Sequence, residues 1–174
     1  MLSGCGQGVA GDAAASPSVP GPSLDLPTPS PVPTCPPEGV VVSAGPVDGA
    51  MGLRAVTLRL ANCGRTPYTV RGYPDLGVLD EDGGDVPVEV SRGFPPGDPV
   101  VDAPPTTVVI GPGRAAVAPV MWRLLVEADG TESVTGPLTV APAKGRDRQK
   151  SGLDVDLGTT RKLTVGAWRA EGGS

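Results

Sequence analysis

Glycine and proline set the limits of what this chain can build. They account for 26 and 22 of its 174 residues and are spread along its whole length. In a helix interior glycine costs about 1 kcal/mol and proline about 3 kcal/mol relative to alanine. A helix of ordinary length therefore has almost nowhere to form, and no long stretch carries a 3.6-residue apolar period. What lies between the breakers is a series of short apolar runs, alternating or β-branched. That pattern predicts an all-β sandwich or barrel.

The breakers are not evenly distributed. Residues 6–34 are rich in Pro, Ser, Ala and Thr, and Asp12 and Asp25 are their only charges. Such a segment has too little to bury to offset the entropy of ordering. It is read as a disordered tether, held partly extended by Pro17, Pro20, Pro22, Pro27, Pro29, Pro31 and Pro33. At about 3.1 Å per residue in polyproline II form it would reach up to about 90 Å. In front of it, Leu2-Ser3-Gly4-Cys5 reads as a lipobox, the signal at which a lipoprotein is cleaved and its cysteine acylated. Only four residues precede Cys5, too few for the charged and apolar parts of such a signal, so either the true start lies upstream or the chain was cut close to its processing site. Residues 1–5 are thus read as the remnant of a signal peptide and 170–174 as a flexible tail. The domain proper runs from 35 to 169, long enough for one real core.

Strands can be placed within that body. Val40 to Val42 is short. Arg54 to Ala61 carries Val56, Leu58 and Leu60 on one face, with Thr57 and Arg59 on the other. Tyr68 to Arg71, Gly77 to Leu79, Val86 to Val90 and Thr107 to Ile110 follow. Ala115 to Leu124 is longer, and Pro119 within it predicts an edge position or a bulge. Leu138 to Val140, Leu153 to Leu157 and Leu163 to Ala167 complete the set. Period-2 alternation means one packed face and one wet face. Nine or ten such strands predict an immunoglobulin-like antiparallel β-sandwich.

Cys35 and Cys63 lie either side of a hairpin whose tip is expected near Asp48-Gly49. Antiparallel pairing about that tip would set them opposite each other, within disulfide reach. A bridge closing this loop is worth roughly 3 kcal/mol in the chain-entropy model. The alternative is two buried free thiols. An export signal favours the bridge, and Cys5 is then the odd cysteine, as suits a residue consumed by acylation.

Several motifs in the body are similar to a known family. They are Cys35-Pro36-Pro37-Glu38-Gly39-Val40, Ala50-Met51-Gly52-Leu53-Arg54-Ala55-Val56, Leu60-Ala61-Asn62-Cys63-Gly64 and Gly72-Tyr73-Pro74-Asp75. Further along come Asp102-Ala103-Pro104-Pro105, Ile110-Gly111-Pro112-Gly113, Met121-Trp122-Arg123 and Asp156-Leu157-Gly158-Thr159-Thr160. In this order they resemble the DUF4232 domain, a domain of unknown function found on secreted actinobacterial lipoproteins. The resemblance covers nearly all of residues 35–169. It implies an exported β-sandwich on a lipid anchor, and it brings no activity and no functional residues with it.

The chemistry of the sequence is mostly exclusion. There is no histidine, which removes Ser-His-Asp and Cys-His nucleophile systems and most catalytic zinc sites. There is no GxSxG, SxxK or P-loop, and Gly111-Pro112-Gly113 reads as a turn. Asp80, Glu81, Asp82 and Asp85 surround the Gly83-Gly84 tip, but Ser91 stands where a twelve-residue calcium loop requires Glu. They read as a solvated hairpin tip. Asp154 and Asp156 share a face at strand spacing, an arrangement that suits acid/base work on a glycoside, yet outward positions of an amphipathic strand explain them as well. No cofactor and no metal are expected.

A formal net charge of −5 argues against nucleic acid as a partner. The one basic cluster, Lys144, Arg146, Arg148 and Lys150, lacks the aromatic residues that stack bases. It reads as a solvated loop that can touch anionic wall polymers or head groups. Of the aromatics, Trp122 shares parity with Val120 and Leu124 and is expected in the core. Trp168 sits out of phase with Leu163 and Val165, either as an exposed contact residue or folded over the open end of the sandwich. Phe94, in the expected loop Arg92 to Pro105, is a further candidate for binding.

The sequence thus reads as a sandwich held by lipid at Cys5 on the outer face of the cytoplasmic membrane. It would act as a non-catalytic binding or interaction module, a monomer by default. Its partner would be an envelope protein or wall polymer that the residues do not identify. A structural spacer, or a carboxylate-dependent hydrolase of wall polymers, are the alternatives.

Overall fold

In the computed structural model, residues 34–96, 104–128 and 132–172 are described. The expected lipobox and all of the tether but Thr34 therefore lie outside the described residues, as do 97–103 of the expected Arg92–Pro105 loop. The chain divides after Val32, and the unit described here is the second, Pro33–Ser174.

That unit is all-β. Its strands are β1 (Val40–Ala44), β2 (Asp48–Ala50), β3 (Leu53–Asn62), β4 (Tyr68–Arg71), β5 (Asp75–Leu79), β6 (Asp85–Val86) and β7 (Glu89–Arg92). They continue as β8 (Thr107–Ile110), β9 (Ala115–Arg123), β10 (Val134–Ala141), β11 (Gln149–Gly158), β12 (Lys162–Val165) and β13 (Arg169–Ala170). One sheet runs β1-β3-β9-β12-β7, with β2 beside β3 and β13 beside β9. A second runs β11-β10-β5-β6, and β4 and β8 form a two-stranded ribbon. Every ladder is antiparallel except β7 with β12.

The alternation read from the sequence places the core. Val56, Leu58 and Leu60 of β3 are buried while Thr57 is exposed. They join Val120, Leu163 and Val165 of the first sheet against Val78, Leu138, Val140, Val155 and Leu157 of the second. Val70, Val108 and Ile110 of the ribbon complete the same apolar cluster. Each such side chain contributes about 1.5–3 kcal/mol on burial. One side of the sandwich is closed by a side chain acting as a strand. The Gln149 amide donates to the Val40 carbonyl at 3.0 Å and accepts the Val42 N–H at 3.1 Å, joining the edges of β11 and β1.

Prolines explain two departures from the sequence reading. The expected strand Val86 to Val90 is two strands, because Pro87 cannot donate to a ladder and the chain changes sheets there. Asp85–Val86 pairs with β5, and Glu89–Arg92 runs parallel to β12. Pro119 is neither at an edge nor in a bulge, since β9 is central, between β3 and β12. In an antiparallel ladder a residue's N–H and C=O point to the same neighbour. The Pro119 carbonyl takes the Gly166 N–H at 2.9 Å, so its donorless nitrogen also faces the break between β12 and β13. No bond to β3 is lost, and the register Thr57↔Pro119 is kept.

Candidate functional site

Cys35 and Cys63 are bridged, with Cα atoms 5.7 Å apart. The expected register, however, is wrong. The pairs Val40↔Asn62 and Ala50↔Leu53 put the hairpin tip at Met51-Gly52. Both residues have positive φ, 51° and 80°, which is a type I′ turn. The Asp48-Gly49 dipeptide, usually the stronger turn signal, lies within β2. Extended outward, the ladder would set Pro67 rather than Cys63 opposite Cys35. A turn brings Cys35 back: Gly39 donates to the Pro36 carbonyl, and Cys63 and Gly64 both donate to the Gly39 carbonyl. Both cysteines are exposed.

Beside the bridge is a residue that the sequence reading did not single out. Asn62 is 2% exposed. Its side-chain nitrogen donates to Ile110 O at 2.7 Å and Thr66 O at 2.8 Å, and its oxygen accepts the Gly64 N–H at 2.9 Å. Its own backbone pairs with Arg114 and Gly113. Asn62 therefore ties β3, the ribbon and two turns together at the end where Cys35 enters. A lone Asn after an apolar run carries no signal of this role.

The four basic candidates do not act as one cluster. Lys144 and Arg146 are exposed in the loop between β10 and β11, and Lys150 is exposed on β11. Arg148 is a brace. It donates from Nε and Nη2 to Asp75, at 3.2 and 2.9 Å, and from Nη1 to Asp85 at 3.3 Å. Its guanidinium lies on Gly77, where a Cβ would stand 2.5 Å from Nη1. Burial pushes the Tyr68 phenol up, the charge of Arg146 opposes this and that of Glu38 adds to it.

Trp168 is not an exposed contact. It is 1% exposed, donates from Nε1 to Pro142 O at 2.8 Å, and donates its backbone N–H to Gly72 O. It closes the end of the sandwich, the other of the two readings its phase allowed. Phe94 is half-buried, next to Gly93, whose N–H donates to Val165 O.

Asp80 and Asp156 are occupied structurally. Asp80 Oδ1 accepts the N–H of Asp82 at 3.0 Å and of Gly84 at 2.6 Å, closing the β5–β6 turn. Asp154 is exposed. Asp156 Oδ1 accepts the Trp122 indole N–H at 3.0 Å, and its Oδ2 lies 3.6 Å from Arg54.

The feature with the shape of a binding site was not anticipated. A cleft of about 420 Å³ opens on the outer face of the first sheet. Met121 forms its floor, and Leu53, Leu125 and Pro95 line its sides. Arg123, Lys162 and Glu127 stand at its rim. Strand pairing assembles it, with Leu53 opposite Arg123 and Met121 opposite Thr164. The Leu125 side is held by the Gly158-Thr159 motif. A Cβ on Gly158 would fall 2.0 Å from Leu125 O. Thr159 donates its backbone N–H to that oxygen at 2.9 Å, and its hydroxyl accepts the Glu127 N–H at 3.0 Å. This leaves Leu125 and Val126 exposed, and Met51 at the hairpin tip is wholly exposed.

These motifs build the sandwich. Gly39 and Asn62 organise the disulfide end, Gly72 receives Trp168, Asp75 receives Arg148, Trp122 reaches Asp156, and Gly158 admits Leu125. Compared with known proteins, the chain matches no curated protein and no solved structure. The model of one family, described as a domain of unknown function (DUF4232), matches residues 35–169. This chain belongs to the DUF4232 family.

Proposed function

We propose that this chain is an exported protein, held by lipid at Cys5 on the outer face of the cytoplasmic membrane, that serves as a non-catalytic binding module at the cell envelope. The observation that carries the location is the Cys35–Cys63 bridge. Both cysteines are exposed, and an exposed disulfide persists in an oxidising compartment, where reductants do not reach it. The Leu2-Ser3-Gly4-Cys5 lipobox and the proline-rich segment behind it support the anchor.

The binding role is supported by the apolar-floored cleft on the first sheet. The commitment of Asp156 to Trp122 and Arg54 supports the non-catalytic reading, because it takes one member of the acid/base pair that a hydrolase would need. Lys144, Arg146 and Lys150 offer a second, basic surface for an envelope protein or wall polymer.

The test is fractionation. Expressed with an in-frame signal sequence in a lipoprotein-processing host, the wild type partitions into detergent and Cys5→Ser into the aqueous phase. Equal partitioning would refute the anchor. Capture of a partner from envelope extract by the wild type, lost in a Lys144→Ala/Arg146→Ala/Lys150→Ala variant of unchanged thermal stability, would support the basic surface.

A further inference from the structure

We infer that the cleft on the outer face of the first sheet is a receptor for a small apolar carboxylate, free or as the C-terminus of a peptide, with Arg123 and Lys162 holding the anionic group. The inference rests on the binding-module reading and gives it a site and a ligand class.

Two observations carry it. The first is a like-charge pair on rigid strands. Leu163 pairs with Trp122 in the antiparallel β9–β12 ladder, so Lys162 and Arg123 are cross-strand neighbours one step further on. Like charges directly opposite each other destabilise a sheet, and this pair is weakly compensated. The Arg123 side chain has no hydrogen bond or ion pair among the described residues, although its backbone pairs with Leu53. Lys162 meets Glu89 at 3.7 Å with both side chains about two-thirds exposed, 66% and 65%, a contact of little energetic worth. An anion between the two would relieve the repulsion.

The second observation is what lies beside them. Met121 is almost fully covered, 7% exposed, and forms an apolar floor with Leu53, Leu125 and Pro95 at the sides. The volume, about 420 Å³, lies in the range that holds small ligands. Thr160 and Thr164 line the cleft with the charged residues, so it offers polar and apolar contacts in about equal measure, whereas most ligand sites are more apolar. Glu127 lines the cleft beside the two cations and Glu89 meets Lys162 from the neighbouring strand, so Arg123 is the cation left for an anion to meet. The Glu127 backbone is fixed by Thr159, which holds that wall in place. Arginine accepts a carboxylate in a planar two-point contact, and lysine adds a point charge. The apolar body of the ligand would then lie over Met121.

The test uses the purified full chain without lipid. Amide chemical shifts are followed by NMR during titration with N-acetyl-leucine, hexanoate and a short peptide ending in leucine. Each is paired with its amide or alcohol counterpart. The expected result is saturable shifts at Met121, Arg123 and Thr164 with the carboxylates, and binding at least tenfold weaker for the uncharged counterparts. High salt should weaken it, and Arg123→Gln and Lys162→Gln should each weaken it several-fold while unfolding at the wild-type temperature. Response to the peptide alone assigns the site to protein C-termini, and response to the small acids as well assigns it to free carboxylates. No saturable binding, equal binding of charged and uncharged partners, or binding unchanged by both variants would overturn the inference. A lost anchor with intact titration refutes only the location, and the reverse refutes only the site.

Discussion

Asn62→Asp exchanges one NH2 for one oxygen and leaves shape and volume almost unchanged, so its cost isolates hydrogen bonding from packing. The wild-type amide makes two donations, to Ile110 O and Thr66 O, and one acceptance, from Gly64 N–H, at 2% exposure. An ionised Asp keeps the acceptance and turns an oxygen toward two carbonyls. Each lost bond is worth about 0.5–1.5 kcal/mol net, and a carbonyl left unpaired in a buried site costs about 1–3 kcal/mol. The expected loss is about 3–4 kcal/mol near neutral pH, a drop in Tm of about 10 °C or more for a domain of this size. Stability also acquires a pH dependence of known sign. Burial against carbonyls raises the folded carboxyl above its unfolded value of about 3.9. The unfolded chain therefore releases its proton first, and the destabilisation grows as pH rises from the unfolded value to the folded one. Below both, the protonated acid donates one of the two bonds and part of the stability returns. Urea unfolding of the oxidised protein, wild type against variant, at pH 4 and pH 7 measures both effects. A loss under about 0.5 kcal/mol at pH 7, or a gap that widens on acidification, would refute the role assigned to Asn62.

Three further outcomes are expected. Cys63→Ala should cost about 2–5 kcal/mol, as loss of a native disulfide does in small secreted domains; a urea midpoint unchanged from the oxidised wild type would contradict this. Gly158→Ala places a Cβ 2.0 Å from Leu125 O at a φ of 60°, and should cost at least about 2 kcal/mol while freeing the Glu127 amide to exchange with solvent. The third concerns the C-terminal strand. The Glu171 carboxyl is held below the usual carboxylate range by its hydrogen bond from Arg59. The pairing is therefore fully present above the unfolded value and is lost as pH falls through the folded one. Protection of the Glu171 amide, which donates to Ala115 O at 3.0 Å, should fall on acidification in the wild type and stay flat in Arg59→Gln.

The sequence made the fold legible where side chains alternate. Leu153, Val155 and Leu157 point inward from β11, and Val56, Leu58 and Leu60 do so from β3, because period 2 is a property of each strand alone. It misled where the outcome depended on a neighbour. Pro119 reads as an edge residue until β12 is seen to stop at Val165, leaving a gap for its nitrogen. Asp48-Gly49 reads as a turn because its local chemistry is right. The turn goes instead to Met51-Gly52, which keeps Val42 opposite Leu60 in the core. Core register outweighs the strain of about 1 kcal/mol or more for a left-handed methionine.

The candidate site was illegible for the same reason, at a larger scale. Leu53, Met121, Arg123 and Lys162 belong to three strands, and no spacing in the chain relates them. What the sequence does show at those places, Met121-Trp122-Arg123 and Gly158-Thr159, looks like core and turn, and Trp122 is core while Gly158 ends β11 where the turn at Thr159 begins. Arg123 differs from its neighbours in that triplet. Trp122 is fixed by Asp156 and Met121 by burial, whereas the Arg123 side chain holds no other element among the described residues. A cation held on a rigid strand beside a second cation and an apolar floor weakens the sheet that carries it. Replacing Arg123 with glutamine should then leave stability unchanged or raise it by a few tenths of a kcal/mol, in line with the cost of cross-strand like charges. A loss of more than about 1 kcal/mol would mean that Arg123 holds the fold together after all, and the cleft would lose its claim to be a binding site.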